Sequence, residues 1–327
     1  MQYILKRLGL FVLTVWAAMT LTFALPRLMP GNPAEVALAR YQGRFGPGTL
    51  AALEAEYGLD TKKSEISQYF TYLGHTLTGN LGYSFQYYPE KVTTLIGQNL
   101  PWTIGLVGVS TIIAFILGTL MGTISAWKRG RFTDSLLVPS GVMMGAMPAF
   151  WIALVADYFL AFRLGWFPVI SATGNATILN ISDWGTILDH ALLPGLVLTL
   201  TSAGGYIILM RNVTITVLND DFVKFARAKG LRNRVIATRY AARNAILPNF
   251  TTFALSLGFV VSGAIAIEYV FDYQGVGYLL VIAVEDLDYN LMQGLFLIII
   301  VSVLVAIFVA DLLYVVLDPR IRLESRS

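Results

Sequence analysis

Apolar residues along this chain gather into long runs, and the charged residues fall almost entirely between them. Six runs lie at about Leu8–Leu28, Trp102–Trp127, Leu136–Leu164, His190–Met210, Phe250–Val270 and Leu291–Leu317. Each supplies the roughly 20 residues that a helix needs to cross about 30 Å of hydrocarbon. The pattern predicts an all-α polytopic membrane protein with six transmembrane helices. The first run follows Lys6 and Arg7, as a signal peptide would, but its apolar stretch is longer than a usual signal core. No A-x-A site follows Leu25, so it is read as a retained span.

The polar intervals divide the chain. Residues 1–28 are the N-terminal end and first span, and 29–101 are one long extracytoplasmic segment. Residues 102–317 form a five-helix core interrupted by a basic loop at 211–249, and 318–327 are a tail. The 29–101 segment holds turn signals, Pro30-Gly31-Asn32-Pro33 and Gly46-Pro47-Gly48, with candidate helices at Thr49–Tyr57 and Ser64–Leu77. Its modest apolar content predicts a small external cap. No internal repeat or low-complexity tract is visible.

Composition agrees with the pattern. Of 327 residues, 56% are apolar and 13% charged, where a soluble protein carries about a quarter charged. The absence of cysteine excludes disulfides, thiolate metal sites and cysteine nucleophiles. His75 and His190 are too far apart to suggest a local metal motif. No G-x-x-x-x-G-K-[ST] occurs, so ATP, if it drives this protein, is bound by another subunit. The net charge of +3 gives no indication of nucleic acid.

Most of the 23 Lys and Arg fall in segments that a cytoplasmic N-terminus places inside: Lys6, Arg7, Lys128, Arg129, Arg131, the 211–249 loop, Arg320, Arg322 and Arg326. The segment after the fifth run carries Asp272, Glu285, Asp286 and Asp288 without a Lys or Arg. Both termini inside is the consistent orientation.

The 211–249 loop has internal order. Arg211, Lys224, Arg227, Lys229, Arg232, Arg234, Arg239 and Arg243 face two acids, Asp220 and Asp221. The Asp pair predicts a cap for a short helix over Phe222–Lys229, with Gly230 ending it in a left-handed turn. So short a helix is unstable alone and must dock. Phe222, Phe225 and Ala226 offer an apolar face for a socket on a partner, and Arg227 and Lys229 can meet acids there. The same basic residues also fit a surface helix lying on lipid headgroups.

Within the spans, Gly118-x-x-x-Gly122 and Gly258-x-x-x-Ser262-x-x-x-Ala266 are close-packing stripes, for plain helix contact or for a sliding interface. Pro139 and Pro148 should bend the third span, and Met143–Phe150 suits either a pathway lining or a kinked packing helix. Acids inside spans are costly and face protein or water. Asp157 fits a pathway role, a structural hydrogen bond or a protonated carboxyl, and Asp311 a structural role. Glu268, beside the outer turn through Gly275 and Gly277, is the best gate candidate.

A series of short motifs in order then carries a resemblance. They are Lys6-Arg7-Leu8, Pro30-Gly31-Asn32-Pro33-Ala34, Asn80-Leu81-Gly82-Tyr83-Ser84, Leu100-Pro101-Trp102-Thr103, Pro148-Ala149-Phe150-Trp151 and Leu164-Gly165-Trp166-Phe167-Pro168. The strongest is Phe225-Ala226-Arg227-Ala228-Lys229-Gly230-Leu231 with Arg243-Asn244-Ala245-Ile246-Leu247-Pro248. Glu268-Tyr269-Val270-Phe271, Gly275-Val276-Gly277 and Leu317-Asp318-Pro319-Arg320-Ile321-Arg322 close the series. Nearly the whole chain resembles the permease subunits of bacterial ATP-binding-cassette importers, in the dipeptide/oligopeptide/nickel branch, and the first of that branch's two paired permeases. Lys224 and Phe225 stand where the general motif has Glu and Ala, and the Gly230-to-Pro248 interval is longer, as is usual in the peptide branch.

The resemblance implies the type I importer permease fold in the bacterial inner membrane, multi-pass. It implies that Asp221–Leu231 is the coupling helix, or EAA loop, seated in an ATPase subunit. The implied partners are a second homologous permease, two cytoplasmic ATP-binding-cassette subunits and an extracytoplasmic solute-binding protein. No cofactor is expected in this chain; ATP and Mg2+ belong to the partners, and the chain is not an enzyme. Peptide is the implied cargo, with oligosaccharide or a nickel chelate as alternatives. A proton-coupled secondary carrier using Asp157 and Glu268 is a different class, disfavoured by the lack of matched halves.

Overall fold

The computed structural model describes residues 2–28, 64–171, 173–174, 180–262 and 264–317. Among them no strand forms beyond an isolated antiparallel bridge between Tyr83 and Lys91. The helices are α1 (Gln2–Leu28), α2 (Glu65–Leu77), α3 (Val92–Trp127), α4 (Phe132–Ala146), α5 (Ala149–Ala156), α6 (Trp184–Val217), α7 (Asp221–Ala228), α8 (Arg243–Gly258), α9 (Ile265–Val270), α10 (Val276–Glu285) and α11 (Tyr289–Leu317). The turn signals at 30–48, the helix expected at Thr49–Tyr57 and the tail 318–327 lie outside the described residues. The helix expected at Ser64–Leu77 forms as α2, with Ser64 as its N-cap accepting from the Ser67 amide.

Four helices among the described residues are long and apolar enough to cross a membrane: α1, α3, α6 and α11. They contain the first, second, fourth and sixth predicted runs. The third run is broken. Its two helices, α4 and α5 with its continuation, meet at 99°. Met147 at the joint is extended, ψ 135°, because a residue before proline is crowded out of the helical region, and Pro148 then caps α5. Pro139 sits inside α4 without ending it. After α5 the chain widens into a π-helix over Asp157–Arg163.

The fifth run is not one helix. Instead α8 stops at Gly258, a 3-10 turn covers Val260–Ser262, and α9 follows. Glycine and β-branched residues cluster at this break, Gly258, Val260 and Val261, where helix propensity is low. The Gly258–Ala266 stripe therefore does not run along one helix.

The chain divides into two compact units. One holds residues up to Thr103, 261–265 and 274 onward. Its core joins Val92, Leu95 and Ile96 of α3 to Val276, Leu279, Leu280 and Ala283 of α10 and to Leu291, Met292 and Leu295 of α11. Phe11 of α1 meets Phe308 of α11 with ring centroids 5.5 Å apart. A loop before α3 is pinned to the start of α11 by buried Asp288. Its carboxylate accepts from Ser84 Oγ and from the amides of Phe85 at 2.8 Å and Gln86 at 3.1 Å, and it caps α11 through the Leu291 amide at 3.1 Å. Burial raises the Asp288 carboxyl above the ordinary carboxylate range, against the pull of those hydrogen bonds.

The second unit holds residues 104–260 and 266–273. Here α6 is central, packed on α3, α4 and α8. The Gly118/Gly122 stripe is a packing seam: a Cβ on Gly118 would lie 2.4 Å from Tyr206 Cβ, and one on Gly122 2.6 Å from the Ile207 carbonyl. Phe115 stacks on Phe253 at 4.4 Å, and buried Asn249 donates to Thr119 Oγ1 at 2.7 Å, tying α8 to α3.

Candidate functional site

The basic loop is built on an extension of α6, which runs past the predicted end at Met210 to Val217. Asn219 and Asp220 follow as a turn, closed by amide bonds back to Thr216 and Val217. Helix α7 starts at Asp221, one residue earlier than expected. Asp220 is the N-cap, with extended backbone but no side-chain cap bond, and its carbonyl takes the Val223 and Lys224 amides. Asp221 in the first turn instead pairs with Lys224 Nζ at 2.9 Å, which holds its carboxyl below the usual range. This pair is exposed and contributes little stability.

Gly230 ends the helix as expected, at φ +74°. The Leu231 amide bonds the Ala226 carbonyl at 3.3 Å and the Gly230 amide the Arg227 carbonyl at 2.9 Å, the two bonds of a Schellman stop. Leu231 also packs near Ala226, the apolar contact that accompanies that motif.

One side of α7 docks on its own chain. Val223 and Ala226, the latter 3% exposed, pack with Ile236 among Trp127, Val217, Leu218, Leu231 and Tyr240. This corrects the expectation that Ala226 faces a partner's socket. Positions 223 and 226 are one turn apart and both point inward, so the apolar face presented outward is Phe222 and Phe225, the latter 70% exposed. Asp221, Lys224, Arg227, Ala228, Lys229 and Gly230 are exposed around them.

Beyond Leu231 the chain re-enters a helical path. A short α turn at Asn233–Val235 widens to a π-helix over Ile236–Ala242 before α8. Ile236 and Ala241 of that stretch are buried, so the loop is anchored on both sides of α7.

The base of α6 carries a contact that sequence reasoning missed. Arg211, counted there among loop cations, donates from Nε to Asp134 Oδ1 at 2.7 Å and from Nη2 to Asp134 Oδ2 at 2.9 Å. Ser125 Oγ at 2.6 Å and the Gly130 amide at 2.9 Å complete the cage around this buried carboxylate. The ends of α3, α4 and α6 are thereby locked together. The Arg211 guanidinium holds the Asp134 carboxyl well below the usual carboxylate range. The available signal was an acid beside Lys128, Arg129 and Arg131, but its partner lies 77 residues away.

The proposed pathway residues lie on other elements. Asp157 opens the π-helix after α5, half-buried, with Oδ1 lacking a hydrogen-bond partner among the described residues. Glu268 on α9 is wholly buried, and its carbonyl takes the Tyr273 amide at 2.8 Å. In the aromatic turn after it, Phe271 and Tyr273 are buried. Gly275 and Gly277 belong to the other compact unit. Gly275 is the extended N-cap of α10, Gly277 is buried in its first turn, and Thr103 Oγ1 accepts from the Val276 amide at 2.8 Å. Asp311 lies within α11. Among the described residues no cluster of His, Asp and Glu has the makings of a metal site.

A family model described as binding-protein-dependent transport system inner membrane component matches residues 114–323. The chain is 36% identical to a Brucella suis protein over 322 residues, 98% of this chain and 99% of that one. It is 33% identical to the dipeptide transport system permease protein of Lactococcus lactis over 322 residues, with the same coverage. To the di/tripeptide transport system permease protein of Pseudomonas aeruginosa it is 33% identical over 343 residues, again 98% of this chain and 99% of that one.

Proposed function

This chain belongs to the family of binding-protein-dependent transport system inner membrane components, and from that premise we propose that it forms half of a translocation pathway for peptides. Its relatives are named as dipeptide and di/tripeptide permeases along nearly their full length, which favours peptide over oligosaccharide or nickel chelate. A second permease completes the pathway, an extracytoplasmic binding protein delivers the cargo, and two cytoplasmic ATPase subunits bind ATP and Mg2+.

One observation carries the mechanism: α7 is fixed to the chain on one side and bare on the other. Its inner face is packed on the ends of α3 and α6, and its outer face presents Phe222 and Phe225. A rigid, docked helix of this kind transmits displacement from a partner to the spans instead of absorbing it. The Asp134–Arg211 clamp carries that displacement from α6 into α3 and α4. For ATP to drive transport, the ATPase and the delivered cargo must favour different states of this assembly. Asp157 serves as the pathway acid and Glu268 as a gate acid, while Gly275 and Gly277 shape the outer turn of their own unit.

The test is Gly230→Val in the assembled transporter. A β-branched residue at positive φ is strained by roughly 1–2 kcal/mol, so the Schellman stop is lost and α7 misdirected. Peptide uptake into reconstituted vesicles should fall strongly while the chain still inserts in normal amount. Normal uptake by an assembled Gly230→Val complex would remove α7 from the coupling path.

A further inference from the structure

Helix α2 stands against the C-terminal part of α1, and its faces differ in chemistry. Tyr69 and Tyr72 face α1. Their hydroxyls bond Thr20 Oγ1 at 2.7 Å and Thr22 Oγ1 at 2.9 Å, and both rings pack on Phe23, with centroids 5.3 and 5.4 Å apart. Arg27 adds a bond to Gln68 at 3.2 Å. A second face carries Ile66, Phe70, Leu73 and Leu77, spaced i, i+4, i+7 and i+11, one stripe of a 3.6-residue period. Phe70 is 65% exposed, and Ile66 and Leu77 more so. Ser67, Thr71 and His75 form the remaining, exposed polar face.

Depth decides what covers the apolar stripe. The apolar window of α1 is Arg7–Ala24, and Thr20 and Thr22 lie inside it. Leu28 is about 12 Å farther along the axis than Thr20, at 1.5 Å per residue. The two tyrosine bonds therefore hold α2 at the level of the hydrocarbon and its boundary, not beyond the headgroups. At that level α1 itself exposes Leu21 and Leu28, apolar side chains that face lipid at this depth. A water-soluble partner does not reach this depth. Nor does α2 carry any Lys or Arg, so its attachment rests on apolar area and the tether to α1, not on lipid charge.

We propose that α2 is an in-plane amphipathic helix seated in one leaflet of the bilayer, with Ile66, Phe70, Leu73 and Leu77 among the acyl chains and Ser67, Thr71 and His75 toward water. This part of the 29–101 segment is then a membrane element and not part of an external cap. The conclusion is independent of which cargo the transporter carries.

The chain has no cysteine, so single sites report cleanly once any cysteines of the partner subunits are replaced. Ile66→Cys, Phe70→Cys, Leu77→Cys, Thr71→Cys and His75→Cys are each spin-labelled in the full transporter reconstituted in lipid vesicles. Collision with molecular oxygen and with a water-soluble nickel chelate is then measured at every site. Sites 66, 70 and 77 should collide with oxygen several-fold more than with the chelate, and 71 and 75 the reverse. Chelate-dominated collision at 66, 70 and 77 would overturn the proposal by placing the stripe in water. Low collision with both would overturn it too, by showing that a protein covers the stripe: the second permease if protection is constant, the binding protein if it arises only on docking.

Discussion

Phe225 and Ala226 are adjacent, yet one points to solvent and the other into the chain. A charge at each separates coupling from folding. Phe225→Asp should leave the melting temperature of the purified complex nearly unchanged, since exposed substitutions stay within about 0.5 kcal/mol, while ATPase subunits bind poorly or hydrolyse ATP without transport. Ala226→Asp puts a carboxylate among Val223, Ile236 and Trp127 and should lower thermal stability or yield first, because an unpaired buried charge is costly. If Ala226→Asp melts like wild type, α7 is not docked as described. Gly230 was legible from sequence because a left-handed helix stop is a local demand of the backbone. The inward direction of Ala226 was not, since it depends on Trp127 and Val217 arriving from elsewhere. Asp134 was illegible for the same reason. Its pairing with Arg211 also has a pH signature. A depressed carboxyl contributes stability that is fully present above the unfolded value of about 3.9 and is lost as pH falls through the lower folded value. Asp134→Asn should therefore destabilise by up to about 3 kcal/mol, the cost of breaking a largely buried pair. The melting difference from wild type should stay flat from about pH 5 to 8 and narrow only below about pH 4. A difference that grows on acidification would show that Asp134 acts otherwise.

Helix positions followed from hydropathy wherever one long helix answers one apolar run, as in α1, α3, α6 and α11. Hydropathy is blind to direction, so it did not reveal the 99° turn at Met147–Pro148 or the break after Gly258. The proline was read as a bend, but its size is set by how α4 and α5 pack on α6. That packing has a sharp test. Gly204 of α6 meets Gly141 of α4 so closely that an added Cβ would lie 2.4 Å from the Gly141 carbonyl oxygen, whereas Gly205 has nothing within 4 Å. Gly204→Ala should cost about 1–3 kcal/mol through overpacking, read as a lower melting temperature, and Gly205→Ala should be near neutral. Equal effects would mean that α4 and α6 do not touch there.

The whole molecule is held in the membrane by apolar helices and oriented by its basic loops, and the coupling proposal requires α7 and the Asp134 cage on the ATPase side. Lys/Arg excess around 128–131 and 211–243 predicts that side for them. The residues just before α3 should then lie on the opposite face, because α3 joins residues 92 and 127 in a single helix of 36 residues, about 54 Å long. That length exceeds the hydrocarbon thickness of about 30 Å, so its two ends emerge on opposite sides. Glu90 and Arg129 flank this helix and are both exposed. In sealed vesicles of known orientation, Glu90→Cys should react with a membrane-impermeant maleimide only from the extracytoplasmic side, and Arg129→Cys only from the cytoplasmic side. Labelling of both cysteines from one side would mean that α3 does not cross. Labelling of each from the side opposite to that stated would invert the chain, put Phe222 and Phe225 where no ATPase can meet them, and end the coupling mechanism even if every contact described within the chain is correct.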